Sequence, residues 1–172
     1  APSHLGAAEW IDRAIALVEP HCRRICLRGD TDFSLTGNFD RWAGRADFIL
    51  GMDAGQALVN RATSLTDDVW KELKRPAKYE VKTEPRRKPE NVKERIVRAR
   101  EFKNIRLIGE QVAEFPYRPV KCTRDYRVVV VRKNLSVERG DVVLFDDIRY
   151  FFYITTRQEL PAEEVVFLAN ER

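Results

Sequence analysis

Arg24-Ile25-Cys26-Leu27-Arg28, closed by Gly29-Asp30-Thr31-Asp32-Phe33, is the stretch on which the reading of this chain turns. Its apolar run is short and ends abruptly at Gly29-Asp30, the pattern of a buried strand running into a turn. Upstream, Gly6 to Val18 places Trp10, Ile11, Ala14, Ile15 and Val18 on one helical face, and Pro20 lies just beyond its end. Downstream, Ser34 is placed to cap a short helix carrying Leu35, Phe39 and Trp42, and Ala46 to Gly51 reads as a second strand. Asp53 can then cap a helix through Leu58, Val59 and Ala62. Helix, strand, helix, strand, helix is an α/β rhythm whose strands are expected to be neighbours in one sheet. Trp10, Trp42 and Trp70 occupy apolar positions and are expected in the core.

The rhythm changes after Trp70. Pro76, Pro85 and Pro89 punctuate a basic stretch that cannot continue a regular element, and Pro89 is placed to open a charged helix through Val92, Ile96 and Val97. Beyond it the pattern turns to β: Ile105 to Ile108, Val112 to Tyr117, Tyr126 to Val131, Val142 to Phe145 and Tyr150 to Thr155. Gly140-Asp141 and Asp146-Asp147 are read as the turns between the last of these. Pro161 then starts a helix through Val165, Val166, Leu168 and Ala169. The expected organisation is an α/β block over 1–70, a basic linker with a β-rich block over 71–158, and a returning helix over 159–172.

Charge is distributed unevenly. The net charge is +4, yet residues 71–106 hold fourteen Lys and Arg against six Glu, which leaves the remainder at −4. A basic block of this kind is what a polyanion partner requires, since each Lys or Arg meeting a phosphate releases condensed counterions. A solvated, charged helix and linker is the structural alternative. Three cysteines, an odd number, and no basic-then-apolar leader argue against a disulfide framework and for a reducing cytosol. Cys22, Cys26 and Cys122 are read as small buried thiols; His21, Cys22 and Cys26 lack a second ligand pair for zinc. No stretch approaches the ~20 apolar residues needed to span a bilayer, so no membrane partner is expected.

An acidic residue directly after a buried strand stands at the carboxyl edge of the sheet, where ligands collect in open α/β folds. Asp30 there can serve as a hard-oxygen ligand for Mg²⁺, or as an ordinary turn-capping residue. Asp32 is its rival for either role, and capping accounts for Asp53. The aromatic run Tyr150-Phe151-Phe152-Tyr153 admits base stacking, although strand alternation directs at least half of it into a core.

Arg28-Gly29-Asp30-Thr31-Asp32-Phe33 resembles the second catalytic block of the DDE transposases of bacterial insertion sequences. In that family Arg, a small residue, Asp, Ser or Thr, a variable residue and Phe follow one another. Further segments share the resemblance: Pro2-Ser3-His4, Gly6-Ala7-Ala8-Glu9, Arg75-Pro76-Ala77-Lys78-Tyr79, and the stretch from Val128 to Tyr153 with Arg132-Lys133-Asn134-Leu135-Ser136 and Phe145-Asp146-Asp147. The resemblance implies an α/β, ribonuclease H-like core interrupted by a β-rich insertion. It also implies metal-dependent cleavage at transposon ends followed by strand transfer.

Under the resemblance Asp30 is the second acid of the catalytic triad and a ligand for Mg²⁺ or Mn²⁺. Arg172 matches the Arg of a Tyr-Arg-Glu-Lys helix signature, where Ala169 departs from the family's Tyr. The first acid would precede Ala1 and the third would follow Arg172, so the chain is expected to be a piece of a longer enzyme and inactive alone. Its partner would be double-stranded DNA, gripped by Arg86, Arg87, Lys88 and Arg172. A homodimer bridging two ends, in the bacterial cytoplasm at the nucleoid, is the expected setting. A non-catalytic nucleic-acid-binding module, or an inactive relic of a transposable element, are the alternatives.

Overall fold

The computed structural model describes residues 5–75 and 91–171. Among them the chain is mixed α/β, with five α-helices and one six-stranded mixed sheet. In chain order the elements are α1 (Ala7–Val18), β1 (Cys26–Gly29), α2 (Phe39–Trp42), β2 (Asp47–Met52), α3 (Gln56–Thr63), β3 (Lys71–Glu72), α4 (Val92–Ala99), β4 (Lys103–Tyr117), β5 (Tyr126–Arg139), β6 (Val142–Thr155) and α5 (Ala162–Asn170). The sheet order is β1-β2-β6-β5-β4-β3. β1 runs parallel to β2, Cys26 opposite Asp47 and Gly29 opposite Leu50, while β2 pairs antiparallel with β6, Gly51 opposite Tyr153.

The chain divides into two compact units. The first takes Ala1–Lys71, Val112–Val131 and Tyr150–Arg172. Its core is aromatic: Phe39 lies 5.0 Å from Phe48 and 5.9 Å, edge-on, from Tyr126, ring centre to ring centre. Trp42, Phe152 and Ile154 close the same cluster. β2 is buried along Phe48-Ile49-Leu50-Gly51, which explains its unbroken apolar text: a strand covered on both faces has no solvent side to mark with polar residues. Asp40 ties this core to the segment before β5, accepting from the Tyr126 hydroxyl at 2.6 Å, the Thr123 backbone N–H at 2.7 Å and the Thr123 hydroxyl at 2.8 Å.

The second unit takes Glu72–Gln111 and Arg132–Arg149. Asn91 caps α4 by accepting from the Glu94 amide at 3.3 Å. Arg106 bridges Glu94, at 2.8 Å, and Glu138, at 3.3 Å. β5 and β6 are joined by Gly140 and Asp141 alone, and Gly140 takes the positive φ of 60° that such a tight connection requires.

Several expectations are corrected. β4 is continuous across Gly109-Glu110-Gln111 rather than two strands. β6 is likewise continuous across Asp146-Asp147, which is therefore no turn; sheet pairing overrides the low β-propensity of Asp, and Arg149 pairs with Asp147 at 3.0 Å on the same face. Trp10 is 68% exposed. Ala7, Ile11 and Ile15 form the inward stripe of α1, whereas Trp10 lies on the neighbouring stripe one residue around, with the Arg13 guanidinium 5.1 Å above its ring. Trp42 and Trp70 are buried, the latter in extended backbone after a 3-10 turn at Asp67–Val69. Cys22 and Cys26 are exposed and only Cys122 is buried. β1 is an edge strand with a half-covered profile, so the reading of 24–28 as buried fails with it. Ser34 and Asp53 cap no helix: α2 follows a 3-10 turn at Thr36–Asn38, and α3 begins after Gly55.

Candidate functional site

Two parallel strands, β1 and β2, end side by side, and each runs into an aspartate. Asp30 follows Gly29 at the end of β1, and Asp53 follows Met52 at the end of β2. Beyond these carboxyl ends lies an open cleft of about 810 Å³. Arg28 to Thr31 line one side of it and Gly51 to Ala54 another; Tyr150 to Tyr153 from β6 and Ala169 to Glu171 from the end of α5 complete it. Placement outside the carboxyl edge of a parallel pair is where backbone geometry gathers ligands in α/β sheets.

Asp30 is exposed, in extended backbone, and opens a 3-10 turn over Thr31–Phe33. Its Oδ1 accepts from the Asp32 amide at 3.1 Å. Among the described residues no donor reaches Oδ2. One carboxylate oxygen thus fixes the rotamer while the other stays available. Ser34 completes the turn, its hydroxyl donating to the Thr31 carbonyl at 2.7 Å. Both readings of Asp30, cap and ligand, are compatible with this geometry, because the cap engages a single oxygen.

Two glycines let the turn lie so close to the sheet. A Cβ on Gly29 would stand 3.0 Å from Phe33 Cβ and 3.1 Å from Leu50 Cδ2. A Cβ on Gly51 would stand 3.1 Å from the Thr31 nitrogen and 3.2 Å from the Asp30 carbonyl carbon. The Asp30-Thr31 peptide therefore packs directly onto β2 at a position that only glycine leaves open.

The far wall is held by Arg28 and Asn170. Arg28 Nη1 donates to the Leu168 carbonyl oxygen at 2.9 Å and to Glu171 Oε2 at 3.1 Å. Asn170 Nδ2 donates to the Tyr153 hydroxyl oxygen at 3.1 Å and to the Val166 carbonyl at 2.7 Å.

Asp53, Arg28, Tyr153, Asn170 and Glu171 join Asp30 in the cleft; of these only Arg28 shares a sequence motif with Asp30, and nothing in the sequence brings Asn170 or Glu171 there. For Asp53 a signal existed: Gly51-Met52-Asp53 repeats after β2 what Gly29-Asp30 does after β1. Capping is not its role, since its carbonyl accepts from Gly55 in a tight turn at 2.7 Å and α3 starts later. Asp32 stands in the first turn after Asp30 rather than among the residues lining the cleft. Of the aromatic run, Phe152 is buried at 2% exposure while Phe151 is 42% exposed, as strand alternation requires.

Among the described residues no three His, Cys, Asp or Glu side chains come together as a metal site. Arg86, Arg87, Lys88 and Arg172 lie outside the described residues. In the described part of the basic block, Arg75 pairs with Glu110 at 2.6 Å and Arg98 with Glu94 at 3.1 Å, so much of that charge is locally compensated. Among the described residues no helix is long and apolar enough to cross a membrane. Comparisons with protein-family models, with curated proteins and with solved structures find no match to this chain.

Proposed function

We propose that this chain is the central part of a DDE transposase, in which Asp30 is one ligand of a divalent cation used to cleave transposon ends and join them to target DNA. The observation that carries the reading is the presentation of Asp30: an exposed carboxylate, one oxygen anchored and one available, in an open cleft beyond two parallel strand ends. A second feature agrees with it. The compact α/β unit is interrupted in sequence by strand-rich segments, at Glu72–Gln111 and Arg132–Arg149, where the resemblance implies a single β-rich insertion over 71–158. Residues 112–131 and 150–158 belong instead to the α/β unit, so what supports the reading is an interrupted α/β unit and not the extent of the insertion.

The donor chemistry suits Mg²⁺ or Mn²⁺ in kind, since Asp30 and Asp53 offer hard carboxylate oxygens to the cleft. It falls short in number, because no group of three ligands forms among the described residues. When bound, such an ion activates a water or hydroxyl nucleophile and stabilises the leaving oxygen. What this chain's own residues supply is position. Gly29 and Gly51 admit the Asp30 turn onto the sheet, the Asp32 amide sets the carboxylate's orientation, and Arg28 secures the opposite wall. On this reading double-stranded DNA is the substrate, Arg86, Arg87, Lys88 and Arg172 contact its phosphates, and a homodimer bridges two ends.

The shortage of ligands favours one other reading, a metal-free nucleic-acid-binding module in which Asp30 only caps its turn. Cation-dependent stabilisation separates the two. At about ten times its Kd, a cation bound to the folded state alone adds roughly 1.4 kcal/mol. Thermal unfolding of the chain with and without Mg²⁺ or Mn²⁺ should show that increment in the wild type and lose it in Asp30→Asn. Equal cation response in both proteins would leave Asp30 a cap and favour the binding module.

A further inference from the structure

We propose that Arg28 is a positioning residue that fixes the end of α5 against β1, the strand that ends just before Asp30, and so sets the width of the cleft; this rests on the reading of that cleft as a cation site. Arg28 lies on β1 two residues before Asp30, which opens the turn directly after that strand. Its Nη1 reaches the Leu168 carbonyl at 2.9 Å and Glu171 Oε2 at 3.1 Å. Leu168 lies in the last turn of α5, where carbonyl groups lack intrahelical donors and the helix dipole favours a cation. No Lys or Arg of α5 occupies that turn, so the helix takes its C-terminal cation from β1 instead.

A second tie lies across the cleft. Asn170, the last residue of α5, donates to the Tyr153 hydroxyl oxygen at 3.1 Å, and Tyr153 stands opposite Gly51 in the β2–β6 register. The helix end is thus held from β1 by Arg28 and from β6 by Tyr153, with β2 and its Gly51 between those two strands. Arg28 makes both contacts through one nitrogen, which a lysine ammonium can reproduce and an uncharged chain of similar length cannot.

Manganese ion added to the ¹⁵N-labelled chain tests the proposal, because paramagnetic broadening falls steeply with distance. In the wild type, broadening should cover the amides of Asp30 and Thr31 together with those of Asn170 and Glu171. Arg28→Met should keep the effect at Asp30 and Thr31, weaken it several-fold at Asn170 and Glu171, and speed amide hydrogen exchange in the last turn of α5. Arg28→Lys should restore most of the wild-type pattern, and it keeps the test usable where the Met variant folds poorly. Arg28→Met broadening equal to wild type at Asn170 and Glu171, or a Lys variant no better than Met, overturns the positioning role while leaving the cation site intact. Absence of broadening at Asp30 in the wild type overturns the site and the inference together.

Discussion

Replacing Gly51 by Ala addresses the packing that presents Asp30. The added methyl would meet the Thr31 nitrogen at 3.1 Å, the Asp30 carbonyl carbon at 3.2 Å and Thr31 Cγ2 at 3.3 Å. Relaxed contacts between such atoms lie at about 3.5–4.0 Å, so the Asp30-Thr31 peptide must retreat by roughly half an ångström. Overpacking of a tight site costs about 1–3 kcal/mol. Against this, Gly→Ala stiffens the unfolded chain and returns about 0.4–1 kcal/mol. Asp30 and Thr31 are exposed and can yield, which puts the overpacking at the low end, about 1–2 kcal/mol, and the net loss at roughly 0–1.6 kcal/mol. Urea unfolding measures that loss, and amide chemical shifts of residues 30–33 report the displacement. Gly109→Ala is the control: its Cβ would meet nothing within 4 Å, so it should be neutral or slightly stabilising. A Gly51→Ala chain as stable as wild type, with the Asp30 and Thr31 amides unmoved, would refute the reasoning.

Other consequences can be measured in the same preparations. Phe39→Ala removes a fully buried ring from the centre of the core and should cost about 3–5 kcal/mol in urea unfolding, whereas Trp10→Ala, on the exposed stripe of α1, should cost within about 0.5 kcal/mol. The Tyr126 hydroxyl, with the Thr123 backbone N–H and hydroxyl, holds the Asp40 carboxyl at about 2 against an ordinary 3.8. A depressed folded-state value means that Asp40 stabilises fully above pH 3.8 and loses that contribution as pH falls to about 2; the stability gap between wild type and Asp40→Asn should therefore close across this window in a pH series of unfolding curves. Native protein should react quickly with a thiol reagent at Cys22 and Cys26, while Cys122, buried with its thiol pushed up by desolvation, should react only on unfolding; fast modification of all three would contradict the packing of the segment before β5.

Local pattern made the alternating helices and strands of the first seventy residues legible, along with the returning helix after Pro161. Each was announced by apolar periodicity and a breaker close to its ends. Strand continuity was not legible. Asp146-Asp147 carries every local mark of a turn, and it is pairing within the sheet, where β5 precedes β6 across Gly140-Asp141, that keeps the backbone extended there. Burial of β1 was misread for a related reason: Ile25, Cys26 and Leu27 are apolar, but sheet order puts them at an edge. Asp30 could be singled out because strand, glycine and acid are contiguous. Asn170 and Tyr153 could not be joined to it, nor could the reach of Arg28 to α5 be seen, since these contacts cross more than a hundred residues or depend on the β2–β6 register. Gly51 reads as an ordinary strand residue until the Thr31 amide is seen against it.

The proposed role of Asp30 is tested most directly by comparing DNA binding and DNA cleavage in the protein that carries this chain and in its Asp30→Asn variant, side by side with Mg²⁺ or Mn²⁺ present. Asn keeps the size of the side chain and an oxygen for the Asp32 amide, but removes the charge that would hold a cation. Gel shifts should show transposon-end DNA bound equally by both proteins, and strand cleavage by the wild type alone. Cleavage that persists in Asp30→Asn would contradict the assignment of Asp30 as the metal-holding acid.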